Sequence, residues 1–434
     1  MKVIKLNNLS KKDYQRIVRR SFGTNEEIMP TVKKIIEKVK FGGDKVVLEK
    51  YQKRFGKGNY QSIKVTRKEI QIAYKEVKND TLRALKQMVI NITTVQKAQL
   101  PRKRDTTVRS ESGISVWREW RPIEKVGLYI PGGRAVYPSS VLMSAIPATI
   151  AGCRKIVMCT PPDSQGNIPA ATLVAADMVG IKNIYKIGGA EAITAMAYGT
   201  KTVQKVFKVF GAGNAYVTAA KMIVIKDVAI DMPAGPSEVL ILADESSNPS
   251  WIVADLLADA EHGPDSSCIV ITVGTQKSAI AQKCAKEIER QISQLKTRDR
   301  ITKSLEQYGA ILTADSIDEA IEFINDYAPE HLEIMVKNPE RLVKKINNAG
   351  SVFLGDWTNK SSGDYATGAN HVLPTGGMAK MYPPLGVDAF GKWMQVQKCT
   401  KEGLTNIRET LETIAEVEQL PAHKIATTIR FTNN

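Results

Sequence analysis

From Val126 to Lys226 the chain alternates short apolar runs with stretches of small residues, and this alternation constrains the fold more than any single motif. KVGLYI reads as a strand, PSSVLMSAIPATIAGC as a helix, KIVMCT as a strand, PAATLVAADMVG as a helix, NIYKIGG as a strand and AEAITAMAYG as a helix. Strands separated by helices lack the short turn that antiparallel pairing uses. The crossovers therefore predict a parallel sheet with helices on both faces. The pattern returns in EVLILAD, NPSWIVADLLADAEHG, SSCIVITVG and SAIAQKCAKEIERQISQL, with a join between Asp231 and Ser237. The expected fold is α/β, with two doubly wound units. Ahead of Val126 the text is mainly helical, and Thr66 with Glu69 forms a capping box that opens a long amphipathic run towards Gln99. After the second unit comes a small helical piece, GLTNIRETLETIAEVEQLPAHKIATTIR.

A length of 434 residues exceeds what one hydrophobic core usually organises, in keeping with two units. Hydrophobic residues make up 43% and charged residues 24%, as in ordinary globular proteins. No uncharged apolar run reaches the roughly 18 residues a bilayer requires. The start, MKVIKLNNLSKKDYQRIVRR, has positive charge but no apolar stretch behind it, so no signal peptide is expected and a cytoplasmic location is. The five cysteines form no CxxC pair, and their odd number argues against a disulfide framework. They read as small core hydrophobes rather than as a nucleophile. A net charge of +16 could attract nucleic acid. The lysines, however, are spread along helices, and no zinc-finger spacing, RNP-like aromatic motif or basic tail is present. A solvated basic surface is the expected reading, with no nucleic-acid partner and no membrane.

The usual dinucleotide fingerprint, GxGxxG between strand and helix, is absent. Gly211-Ala212-Gly213-Asn214 supplies its first half. Gly132-Gly133 after LYIP and Gly188-Gly189 after NIYKI fall where a doubly wound sheet presents ligand-binding loops. Each glycine pair alone reads as a turn; three at strand ends of one unit point to a nucleotide and make the units Rossmann-like.

Only four histidines occur: His262, His331, His371 and His423. Asp259 and His262 lie near a helix end closed by Gly263-Pro264, and residues three apart share a helix face. Glu330-His331 follows Pro329 and precedes an apolar strand. SSGDYATGANHVLPTGG carries Asp364 and His371 in a glycine-rich loop, and Glu418 and His423 stand five apart. Oxygen and nitrogen donors without thiolate suit zinc that keeps a position for substrate. The same residues also fit a network of hydrogen-bonded loop and cap positions, and residue types alone do not choose.

GLYIPGGRAVYPSSVLM, DMPAGPSEVLILAD, LLADAEHGPDS, YAPEHLEI, SSGDYATGANHVLPTGG and AEVEQLPAHKIA resemble, in order and spacing, the motifs of the histidinol dehydrogenase family. The resemblance implies oxidation of L-histidinol to L-histidine in two NAD-dependent steps through the aldehyde, by a zinc-binding homodimer with composite sites. It implies zinc on Asp259, His262, Asp364 and the partner's His423. His331 would be the base for the alcohol proton, and Glu330 would activate water. Ser237, Asp259, His262, His331, Asp364, Glu418 and His423 would hold substrate, and Tyr129, Glu191 and Asn214 would hold NAD. His371 carries no implied chemistry, and a structural role and a substrate contact both stay open. The implied domains are an N-terminal arm (1–24), a first α/β domain with the catalytic residues (25–128 plus 237–380), an NAD-binding α/β domain (129–236), and a C-terminal helical tail that completes the partner's site (381–434).

Three positions depart from the family pattern. Asp259 replaces a glutamine among the zinc ligands, Glu191 replaces a glutamine at the NAD site, and Ala212 replaces a proline in GPGN. With Asp259 as a ligand the shell of two carboxylates and two histidines would be formally neutral around a divalent ion. The departures leave room for a paralogue acting on another small primary alcohol. A catalytically dead binding protein is disfavoured, because Glu330, His331, His262, Asp364 and His423 are all retained.

Overall fold

The computed structural model describes residues 1–20, 27–55, 60, 62–132, 135–274 and 279–432; Gly133, half of one expected glycine loop, lies outside them. The chain forms two compact units: Met1–Gln99 with Ile123–Phe390, and Leu100–Pro122 with Gly391–Asn434.

The first unit contains both parallel sheets. One runs Asn183–Lys186, Lys155–Thr160, Lys125–Tyr129, Lys208–Phe210, Ala229–Ile230 from edge to edge. Numbered in chain order, these strands lie 3-2-1-4-5. The other runs Val3–Lys5, Gly309–Ala314, Ser267–Val273, Glu238–Ala243, His331–Met335, Ser351–Leu354. Without Val3–Lys5 it repeats the same order. Each sheet therefore has a switch point where the winding direction reverses, the place such folds offer to ligands. Every residue of Glu238–Ala243 is buried, as a strand covered by helices on both faces requires. Leu256, Cys268 and Ile280 pack on one face of this sheet, and Leu240, Phe323 and Tyr327 on the other. Cys159, Cys268 and Cys284 are buried, Cys153 is half-buried and Cys399 is exposed, all as free thiols. No helix among the described residues is long and apolar enough to cross a membrane.

Four features differ from the sequence reading. The start of the chain is more than an arm, since Val3–Lys5 joins the six-stranded sheet beside Gly309–Ala314. The helix Met29–Phe55, expected with the catalytic sheet, instead packs its Val32, Ile36, Val39 and Val47 into the core of the five-stranded sheet, beside Ile193 and Val217. The Thr66–Glu69 capping box is present, but its helix is Arg67–Glu76 and a second begins at Asn79. Val77 and Lys78 between them are extended, and Asp80 then sits in a first helical turn, where a carboxylate is favoured. Finally, the second unit is not purely helical. Gly391–Cys399 pairs antiparallel with Ile114–Pro122, which pairs in turn with Val108–Glu111, ahead of helices Lys401–Asn406, Arg408–Val417 and Pro421–Thr428.

Candidate active site

A cavity of about 500 Å³ in the first unit collects residues from both sheets. The five-stranded sheet contributes the carboxyl ends of its strands at the switch point: Tyr129 and Gly132 on one side, Gly211 to Asn214 on the other. The six-stranded sheet contributes the opposite, amino ends of its central strands, through Ser237, Glu330 and His331. A larger groove of about 1100 Å³ beside the N-terminal segment is lined by no histidine.

On the first wall, Gly211 has φ of 115°, and a Cβ there would lie 2.0 Å from the Tyr129 carbonyl oxygen. Only glycine permits this crossing. The Gly211 N–H donates to Asp231 at 2.7 Å, and the Gly211 carbonyl accepts from Lys221 at 2.9 Å. Lys221 and Asp231 form a buried ion pair behind the turn. Asn214 caps the helix Ala215–Val224 by accepting the Val217 N–H at 3.2 Å, and Asn214 and Ala215 both line the cavity. A helix start beside glycines is a natural cradle for an anion such as a pyrophosphate. The Tyr129 hydroxyl accepts the Gly189 N–H at 3.2 Å, and burial pushes its pKa up to about 12. Glu191 is placed differently: it pairs with Lys50 at 2.5 Å in the first turn of Gly189–Tyr198 and is not among the lining residues.

On the opposite wall, His331 opens the strand His331–Met335. Its Nδ1–H donates to the Glu238 carbonyl at 2.9 Å, which leaves Nε2 as the acceptor nitrogen, without a hydrogen bond and 3.8 Å from Asp364. Burial lowers its pKa and outweighs the opposing pull of Asp259, which favours the uncharged ring. Glu330 accepts the Glu238 N–H at 2.8 Å. Burial, with Asp259 and Glu238 nearby, holds its carboxyl well above the usual range. Glu238 itself is fixed by Arg20, whose Nε donates at 2.8 Å and whose guanidinium stacks 3.6 Å from the centre of the Tyr327 ring. His371 donates from Nδ1 to the Asp364 carbonyl at 3.0 Å and accepts from Ser140 at 3.1 Å, tying the glycine-rich loop to a neighbouring helix.

Asp259, from the last turn of Pro249–Ala260, converges with His262 and Asp364, and at their centre stands the Nζ of Lys360. It lies 2.7 Å from Asp259, 2.9 Å from Asp364 and 3.3 Å from His262 Nε2. Burial pulls the lysine pKa down, but the two carboxylates outweigh it and raise it. Burial likewise opposes ionisation of Asp259 and Asp364, and Lys360 reverses the balance, lowering both. Burial and Lys360 together lower His262. Asp259, Glu330 and His331 also bring one donor atom each within 4.8 Å of one another, close enough to hold a single ion. In this arrangement His331 Nδ1, the nitrogen nearest both carboxylates, already carries the proton it gives to Glu238. A zinc ion on Asp259, His262 and Asp364 does not fit beside the ammonium, because bonds of about 2.0–2.2 Å would place the ion where the nitrogen is.

Glu418 ends the helix Arg408–Val417 and His423 lies on Pro421–Thr428, both exposed and both in the second unit. Lys360, Arg20, Glu238 and the Lys221–Asp231 pair were missed by the sequence reading. Asp231 and Glu238 lie inside the motif DMPAGPSEVLILAD, and Lys360 immediately precedes SSGDYATGANHVLPTGG, one helical turn before Asp364.

Two doubly wound sheets enclosing a glycine-lined cradle and an anchored histidine define an α/β protein whose cavity sets an anion cradle opposite a histidine base. The sequence model of the histidinol dehydrogenase family matches residues 18–431. Histidinol dehydrogenase of Bacteroides thetaiotaomicron is 46% identical over 432 residues, covering 99% of each chain. That of Methanocaldococcus jannaschii is 45% identical over 423 residues, 98% of this chain and 97% of its own. The crystal structure of histidinol dehydrogenase from Elizabethkingia anophelis superposes with a TM-score of 0.93 at 42% identity, covering 99% of this chain and 98% of that one. The chain belongs to the histidinol dehydrogenase family.

Proposed function

We propose that the protein oxidises L-histidinol to L-histidine through the aldehyde, reducing two NAD per turnover. The observation that carries this reading is His331, anchored at Nδ1, with Nε2 lacking a hydrogen bond beside the cavity. Bound NAD supplies the hydride acceptor in each oxidation. Tyr129, Asn214 and the start of Ala215–Val224 would hold it, the helix end offering its N–H groups to an anionic group. Glu191, paired with Lys50, acts on it at most through the Gly188–Gly189 turn.

In the first oxidation Nε2 of His331 removes the alcohol proton as hydride leaves the adjacent carbon. In the second, Glu330 takes a proton from the water that attacks the aldehyde. Its raised proton affinity makes it a stronger base than an ordinary carboxylate once ionised. Ser237 and Asp364 line the cavity and position the substrate.

The protein is a homodimer in this reading, with Glu418 and His423 supplied to the partner's site. In support, the helical segment that bears them exposes Leu411, Ile414, Val417, Leu420, Ile425 and Ile429, an apolar patch of the kind that marks an interaction surface. The test is an NADH assay with L-histidinol. About two NADH per histidine formed is expected; no NADH above background with L-histidinol, from folded protein, overturns the reading.

A further inference from the structure

We propose that Lys360 is the resident cation of this site: its ammonium group takes the position on which Asp259, His262 and Asp364 converge, and the enzyme works without a bound divalent metal. A lysine ammonium has three N–H donors and no lone pair. Here three acceptors surround it, Asp259 Oδ1 at 2.7 Å, Asp364 Oδ2 at 2.9 Å and His262 Nε2 at 3.3 Å. The Lys360 side chain is 2% exposed, and those of Asp259 and Asp364 are 0% and 10% exposed.

The lysine is no surface residue swung inward. It begins the helix Lys360–Tyr365, whose cap Asn359 accepts the Ser362 N–H, and Asp364 stands on the same face one turn later. The Asp255 carboxylate accepts the Lys360 backbone N–H, so the base of the side chain is fixed as well as its tip. An ion entering this shell would have to displace the ammonium from the two carboxylates that hold it, and separating a buried charge from its partners is strongly disfavoured. Asp259 belongs to the same device. A neutral amide there would give Lys360 one carboxylate instead of two, whereas the carboxylate completes a pair around a single positive charge. The consequence for the chemistry is a single positive charge in place of a Lewis acid, so substrate is oriented by charge rather than by coordination.

The inference rests on the dehydrogenase reading only in its activity arm. The full-length protein, produced in zinc-supplemented medium and dialysed without chelator, is analysed for metal by mass spectrometry and titrated with zinc against a chromophoric indicator. Far less than one zinc per chain is expected, and NADH formation from L-histidinol should be unchanged by 1,10-phenanthroline or EDTA and unstimulated by zinc. One zinc per chain that survives dialysis, or activity abolished by chelator and restored by zinc, overturns the proposal. Lys360→Gln, which removes the ammonium and keeps a polar side chain, should gain zinc binding relative to the parent. Should that variant not fold, the parent's metal content still decides. If L-histidinol yields no NADH under any condition, the substrate reading fails while the metal analysis continues to test Lys360.

Discussion

A histidine whose Nδ1–H is tied to a carbonyl presents a single basic nitrogen, and in His331 that nitrogen is buried without a hydrogen bond. Such a group costs stability unless substrate uses it, a common mark of a functional position. Replacing it with asparagine should slow both oxidations by about 10²- to 10⁴-fold, the usual effect of losing a general base. Glu330→Gln should instead spare alcohol oxidation and impair aldehyde oxidation. Histidinol and histidinaldehyde supplied separately to each variant distinguish the two roles, and equal losses on both substrates for Glu330→Gln would refute the division. Residues of this kind were legible in sequence, because histidine is scarce in this chain and each one sits in a distinctive motif. Lys360 was not. Lysines normally face solvent, and what distinguishes this one is a convergence of Asp259 and His262 with Asp364, about a hundred residues further along, that only folding reveals.

At the scale of elements, the Gly211 turn depends on a pair of charges that the cavity never touches. Lys221 holds the Gly211 carbonyl and Asp231 its N–H, and each neutralises the other in the interior. Lys221→Met leaves Asp231 buried without its paired ammonium, which should cost about 3 to 5 kcal/mol of stability and weaken NAD binding. Lys221→Met combined with Asp231→Leu should recover much of the stability without restoring the turn's hydrogen bonds. Chemical denaturation and NAD titration of both variants measure this; equal stability of the single and double variants would show that the pair contributes no buried charge balance. The strands and helices of both α/β units were legible from periodicity, since a buried parallel strand must be apolar throughout. The sheet of Val108–Glu111, Ile114–Pro122 and Gly391–Cys399 was not. Its strands carry Arg109, Arg118, Glu119, Arg121 and Lys392 among their apolar residues, and two of its partners lie hundreds of residues apart.

For the whole molecule, the proposed dimer has a direct test. His262→Ala and His423→Ala chains should each be inactive as homodimers. If His423 serves the partner's site, a heterodimer of the two collects both lesions in one site and leaves the other intact. Co-refolding should therefore restore part of the activity. Heterodimers that form but remain inactive would place His423 outside the partner's site. Nothing in periodicity could foretell this arrangement, because it concerns which copy of the chain a helix serves. The exposed apolar residues of Arg408–Val417 and Pro421–Thr428 become informative only once the neighbours that fail to cover them are known.

The pairing of Ile114–Pro122 with Gly391–Cys399 also sets an order of events during synthesis. Roughly 270 residues separate the two strands, so at about 5 to 20 residues per second the first must wait about 15 to 50 seconds for its partner to leave the ribosome. During that interval both parallel sheets can be completed, while a strand bearing Trp117 and Trp120 keeps an edge open to other chains. The charged residues interspersed along it then have a use that the finished molecule no longer displays: they discourage nascent chains from joining edge to edge before the tail arrives.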